Sequence, residues 1–167
     1  IESNARRGNF VTVDLVAVAD DVIEFYEPTA EEKGIVFDYR RTAPGAIEVH
    51  GDRNLLFEAL ANLVENAIKF APDAGHVSVH VFHDATGFGI TIADDGPGIA
   101  PEERQAVLRR FYRSEASRHT PGNGLGLSLT HAVAGMHGMS IRFNDVPTGC
   151  SVTLIRNSGA ALIRMAD

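Results

Sequence analysis

The chain has 167 residues, the size of one domain with a substantial core, and its 44% hydrophobic and 22% charged content describes a globular protein rather than a disordered one. The net charge of −7 argues against nucleic acid or an anionic membrane as the main partner, since both demand a positive field. The single cysteine, Cys150, excludes an intrachain disulfide and a cysteine-rich zinc site. It sits in an apolar, strand-like run, so a buried inert thiol is expected, and the composition fits a reducing cytosol. No apolar run approaches the ~20 residues that span a bilayer, so no membrane contact by this chain is expected. The chain opens on Ile1 rather than methionine and reads as an excised or processed piece.

In chain order, residues 1–9 are polar and linker-like around Arg6-Arg7-Gly8-Asn9. Phe10 to Val13 alternates as a short strand, with Asp14 placed to cap a helix carrying Leu15, Val18, Ala19, Val22, Ile23, Phe25 and Tyr26 until Gly34. Ile35 to Arg40 and Ile47 to His50 read as strands. The run from Asp52 to Ala71 is the strongest helix. Asp52 stands at the N-cap, Pro72 follows the end, and Leu56, Ala59, Leu60, Leu63, Val64, Ala67 and Phe70 form one apolar stripe. His76 to Phe82 and Phe88 to Ala93 alternate at period two around a turn at Asp84 to Gly87, a hairpin.

Residues 94–126 lack a sustained period and are rich in Gly, Pro, Arg and Ser, with a short helix expected near Pro101 to Arg110; loops this long are usually functional. Leu125 to His137 is a further helix, with Leu127, Leu129, Val133 and Met136 inward. Ser140 to Asn144 and Cys150 to Ile155 form a closing hairpin around Pro147-Thr148-Gly149. Residues 157–167 read as a tail. Strands in hairpins plus three helices give an α+β class, with helices on one face of a mixed sheet.

Three stretches carry candidate chemistry. On the central helix Asn62, Asn66 and Lys69 fall at i, i+4 and i+7 and share a stripe beside the apolar one. Amide oxygens are hard ligands suited to magnesium and a lysine suits phosphate, although a plain solvated face has the same spacing. Asp94-Asp95-Gly96-Pro97-Gly98-Ile99 ends a strand in a glycine turn. There a carboxylate could accept a hydrogen bond from an exocyclic amine, with Asp94 better placed than Asp95; an ordinary Asp-Gly turn is the competing reading. Gly122-Asn123-Gly124-Leu125-Gly126-Leu127 opens a helix, where backbone N–H groups suit phosphate, or where a simple hinge would serve. It is neither a Walker loop nor a dinucleotide fingerprint. The four arginines of Arg109-Arg110-Phe111-Tyr112-Arg113-Ser114-Glu115-Ala116-Ser117-Arg118 are either a solvated patch or the cations a polyphosphate needs in an acidic protein.

In this order and spacing, these motifs resemble the catalytic ATP-binding domain of sensor histidine kinases, within the superfamily shared with gyrase, heat-shock chaperones and mismatch-repair ATPases. NLVENAIKF (62–70) resembles the asparagine box, DDGPGI (94–99) and GNGLGL (122–127) the two glycine boxes, and RRFYRSEASR (109–118) the phenylalanine box. The resemblance covers about residues 10–156 and implies a two-layer α/β sandwich of the Bergerat type.

The resemblance also implies roles. Asn66 would be the Mg2+ ligand, with Asn62 in its network; Lys69 would meet phosphate, and Phe70 would lie near adenine. Asp94 would bind the adenine amino group, with Gly96 and Gly98 as the pocket floor. Gly122, Gly124, Leu125 and Gly126 would form a lid on ATP, with Arg113 and Arg118 as phosphate contacts from it. Phe111 and Tyr112 would touch the helical domain that carries the phosphorylated histidine. Asn123 departs from the small hydroxyl residue more common there.

ATP-hydrolysing relatives carry a glutamate four residues before the metal-binding asparagine. Here that position is Asn62, an amide that cannot take a proton, and Glu65 is turned about 100° away from Asn66. A phosphotransferase is therefore expected over an ATPase. Among seven histidines only His83-Asp84-Ala85-Thr86 superficially resembles the acceptor motif, and it lies at a hairpin turn without the motif's proline. His76 and His80 alternate on one strand without a third metal ligand. The phosphoacceptor and dimerisation domain is thus expected upstream, with residues 1–9 its remnant, and a response regulator downstream. The domain itself is expected in the cytoplasm even where the parent is membrane-anchored. A nucleotide-binding regulatory module without phosphotransfer is the alternative.

Overall fold

The computed structural model describes residues 10–108 and 126–158. It contains strands β1 (Val11–Asp14), β2 (Val36–Arg41), β3 (Glu48–Gly51), β4 (His76–Asp84), β5 (Gly87–Asp94), β6 (Ser140–Phe143) and β7 (Cys150–Asn157). The helices are α1 (Leu15–Glu32), α2 (Arg53–Phe70) and α3 (Gly126–Met136). Five strands form one sheet in the order β2-β4-β5-β7-β6, while β1 and β3 form a separate antiparallel ribbon. The sheet is mixed: β2 runs parallel to β4, and every other pair is antiparallel. A parallel pair needs a long crossover, and α2 lies within it. The sheet's split into five strands and a ribbon has no signature in the sequence.

The core lies between the helices and one sheet face. Along β4 and β5, Val77, Val79, Val81, Ile90 and Ile92 are buried against Leu15, Val18, Val22, Leu56, Leu60 and Val64 from α1 and α2. Burying a side chain such as Leu56 or Leu60 contributes about 1.5–3 kcal/mol. The expected stripe of α2 is buried as far as Ala67, with Leu55, Ala61 and Ile68 joining it.

Capping sets the helix starts. Asp14 Oδ1 accepts from the N–H groups of Val16 (3.0 Å) and Ile47 (3.1 Å), tying α1 to the segment entering β3. Asp52 Oδ1 accepts from the Leu55 N–H at 3.0 Å. The Asp52 N–H donates to Nε2 of buried His137 (3.1 Å), whose Nδ1 meets the Val133 carbonyl at 2.7 Å. That pattern requires the Nδ1–H tautomer and fastens the end of α3 to the start of α2.

Two expectations are corrected. The short helix expected near Pro101 to Arg110 is split into two 3-10 helices, Pro101–Glu103 and Ala106–Leu108. On α3, Leu129 is 37% exposed, whereas Thr130, Val133, Ala134 and His137 are buried. The helix is rotated from its apolar periodicity because the Thr130 hydroxyl donates to the Ala59 carbonyl of α2 at 3.2 Å, which lets a polar residue take the inward line. Pro28 lies inside α1 on its exposed side, where loss of one backbone donor faces solvent.

Candidate functional site

Asn62, Asn66, Lys69 and Phe70 are each half-buried along α2, and neither asparagine amide has a hydrogen-bond partner among the described residues. The Lys69 ammonium lies 5.5 Å from the centroid of the Phe70 ring. Glu65 is exposed and accepts from the Tyr26 hydroxyl at 3.4 Å. It is thus engaged toward α1, away from the asparagine stripe.

Asp94 ends β5 and is half-buried. Its Oδ1 accepts from the Gly96 N–H at 2.8 Å, and its Oδ2 has no partner among the described residues. Burial pushes its carboxyl up to about 6, reinforced by the Asp95 carboxylate and opposed by the Gly96 hydrogen bond. Asp95 serves elsewhere: both its oxygens accept from the His76 N–H at 3.1 Å, pinning the start of β4 to the glycine turn. The two adjacent aspartates therefore have different partners, and the tie from Asp95 to β4 had no signal in the sequence.

The glycine turn is seated by close backbone approach. A Cβ on Gly96 would lie 2.5 Å from the Phe70 carbonyl oxygen and 2.9 Å from Asp94 Oδ1. The turn thus rests on the last residue of α2, which brings the asparagine stripe and the strand-end carboxylate to one place. Gly98 (φ +78°) and Gly149 (φ +79°) interlock: a Cβ on Gly98 would overlap the Gly149 carbonyl, and one on Gly149 would overlap the Asp94 carbonyl.

Gly149 and Cys150 belong to the site floor, which the sequence reading missed. It took them for an ordinary hairpin, and only the Asp94–Cys150 register exposes their role. The Cys150 thiol is pushed up to about 11 by burial and the Asp94 carboxylate, with Arg104 pulling the other way; the expected inert thiol fits. Outside this floor lies an open cleft of about 360 Å3 between residues 97–101 and 143–151, whose charged walls, Arg104 and Asp145, pair at 2.8 Å. It is lined by none of Asn62, Asn66, Lys69 or Asp94.

Phe111, Tyr112, Arg113, Arg118, Gly122, Asn123, Gly124 and Leu125 lie outside the described residues, and Gly126 begins α3. Among the described residues no group of three or more His, Cys, Asp or Glu side chains could hold a metal. His76 pairs with Asp38 at 2.6 Å instead. The two unpartnered amides fit a hard cation that keeps most of its shell from water and phosphate, as magnesium does. No described helix is long and apolar enough to cross a membrane.

A strand-end carboxylate, a glycine turn and an amide-bearing helix thus meet on one α/β sandwich. The chain belongs to the histidine kinase-, DNA gyrase B- and HSP90-like ATPase family, whose model matches residues 51–157. The sensor-like histidine kinase SenX3 of Mycobacterium tuberculosis is 36% identical over 157 residues, covering 92% of this chain and 38% of that protein. A solved chain of the mycobacterial sensor histidine kinase MprB is 31% identical with a TM-score of 0.75, covering 89% of this chain and 97% of its own. Full-length ShkA in complex with AMPPNP is 26% identical with a TM-score of 0.73, covering 93% of this chain and 34% of its own. The chain thus spans well under half the length of the sensor-like histidine kinases it matches.

Proposed function

We propose that the domain binds Mg-ATP and, within its parent kinase, donates the γ-phosphoryl group to a histidine on a separate phosphoacceptor and dimerisation domain. The observation that carries this reading is the half-buried Asp94 carboxylate, one oxygen held by Gly96 and the other without a partner among the described residues, seated against the end of the helix that bears Asn62, Asn66 and Lys69. Asp94 Oδ2 accepts from the adenine amino group, Gly96 and Gly98 let the base approach the backbone, and Phe70 walls it. Lys69 meets the phosphates; Asn66, with Asn62, holds the magnesium, which when bound neutralises charge on the triphosphate. Gly122, Gly124, Leu125 and Gly126 carry the lid, and Arg113 and Arg118 add its cations. The AMPPNP complex of ShkA supports a triphosphate as the ligand.

The domain's own work is positioning. It holds the γ-phosphorus in line for an imidazole nitrogen, which forms the N–P bond as the bond to the ADP oxygen breaks and ADP leaves with the electron pair. Asn62 offers an amide that cannot take a proton and Glu65 is engaged by Tyr26, so neither is set to activate water. A response regulator would take the phosphoryl group onward.

Incubation with γ-labelled ATP tests this. The chain alone is expected to remain unlabelled, and the phosphoacceptor domain of its parent kinase, added in trans, to gain acid-labile label that Asn66→Ala abolishes. ATP binding without any transfer to that domain would support a purely regulatory module instead.

A further inference from the structure

The C-terminal turn of α2 is held by a residue from another helix. α1 ends in a left-handed turn at Gly34 (φ +71°), where the Gly34 N–H donates to the Glu31 carbonyl and the Ile35 N–H to the Ala30 carbonyl, both at 2.9 Å. From the cap position just before it, the Lys33 ammonium donates to the carbonyls of Ile68 (2.8 Å), Lys69 (3.0 Å) and Ala71 (2.6 Å). An ammonium has three protons, so all are used, and each goes to a carbonyl at the negative end of the α2 dipole. The Lys33 carbonyl accepts from the Ala74 N–H at 3.2 Å, where Ala74 adopts a left-handed φ of 60°. Lys33 therefore fixes both the last turn of α2 and the connection into β4.

Lys69 supplies one of the three carbonyls that Lys33 gathers, Phe70 lies between it and Ala71, and the Phe70 carbonyl seats Gly96. Asp94 is anchored differently: β5 pairs along its length with β4 on one side and β7 on the other. The two halves of the site are thus held by separate means, Asp94 by the sheet and the Lys69 turn by Lys33.

We propose that Lys33 is a positioning residue for the nucleotide, setting the Lys69 turn at the distance from Asp94 that lets one ligand engage both. The proposal rests on the Mg-ATP reading above, with adenine at Asp94 and phosphate at Lys69. Losing Lys33 frees the turn that carries Lys69, and with it the Phe70 wall, while the Asp94 carboxylate stays in the sheet, so the phosphate side loses more than the adenine side.

The test is calorimetric titration of the native chain, Lys33→Met and Asp94→Asn with Mg-ATP and with adenosine, at a temperature where circular dichroism shows each variant folded. Lys33→Met is expected to weaken ATP about tenfold, the scale of losing charge-assisted hydrogen bonds, while adenosine affinity stays within about threefold of native. A merely structural role would move both ligands alike or neither, and either result overturns the proposal. Should Lys33→Met be too unstable to titrate, Lys33→Gln offers two uncharged donors in place of three charged ones and carries the same comparison with the same two outcomes. Native chain that binds neither ligand would sink the Mg-ATP reading itself. Loss in Asp94→Asn with Lys33→Met unchanged would sink only the role of Lys33.

Discussion

Replacing Asp94 by asparagine is expected to weaken ATP binding by about 10–100-fold, the cost of a lost hydrogen bond to a charged group, while making the nucleotide-free domain more stable at neutral pH. Both effects follow from one geometry. The Gly96 N–H holds Oδ1 at 2.8 Å, so an asparagine would keep its carbonyl oxygen there and turn its NH2 toward the ligand. A donor would then confront the adenine amino group, itself a donor. The stability gain comes from burial, which raises the Asp94 carboxyl to about 6.

A carboxyl whose folded pKa lies above its unfolded value contributes stability that is full below pH ~4 and lost as pH rises through ~6. At pH 7.5 the ionised group is therefore a cost, about 1–2 kcal/mol once partial solvent screening is allowed for. Thermal unfolding should show Asp94→Asn melting about 2–6 °C higher at pH 7.5, with the difference vanishing near pH 4. The native domain's ATP affinity should fall as pH drops below about 6, where Asp94 takes a proton.

The second large effect is expected at Gly149, a residue that touches no nucleotide in this account. Its φ of +79° is strained for any residue with a Cβ, and that Cβ would overlap the Asp94 carbonyl. Gly149→Ala must either shift the β6–β7 turn or push the end of β5 outward. The conformational term alone is about 1–2 kcal/mol, and displacement of a paired strand end brings the total to about 2–4 kcal/mol. A melting temperature about 5–15 °C lower is expected, with ATP affinity lost in parallel because Asp94 moves with its carbonyl. Gly45 is the matching control: a Cβ there meets nothing within 4 Å, so Gly45→Ala should leave both readouts unchanged.

The sequence revealed most where a local rule carries the information. Asp52 and Asp14 read as caps because capping is decided within three residues, and both cap as expected. The α2 stripe read correctly because eighteen residues give the helical period room to show. The expectations that α2 carries Asn62, Asn66, Lys69 and Phe70, and that β5 ends in Asp94, hold in the structure. Features that depend on partners far along the chain stayed hidden. Gly149 and Cys150 gained their place through pairing with Asp94, and Lys33 through three carbonyls more than thirty residues away. The phase of α3 was misread at Leu129 because a threonine satisfied by a neighbouring helix is indistinguishable, in sequence, from one facing water.

The central claim is that Asp94 Oδ2 reads adenine, and titration of the native chain with ATP and with GTP, each with magnesium, tests it most directly. Guanine presents a carbonyl where adenine presents an amino group, so its oxygen would face a carboxylate, acceptor against acceptor. ATP should bind in the micromolar range and GTP at least about tenfold more weakly. Equal affinity for the two nucleotides would contradict the assignment of Asp94 and with it this account of the site.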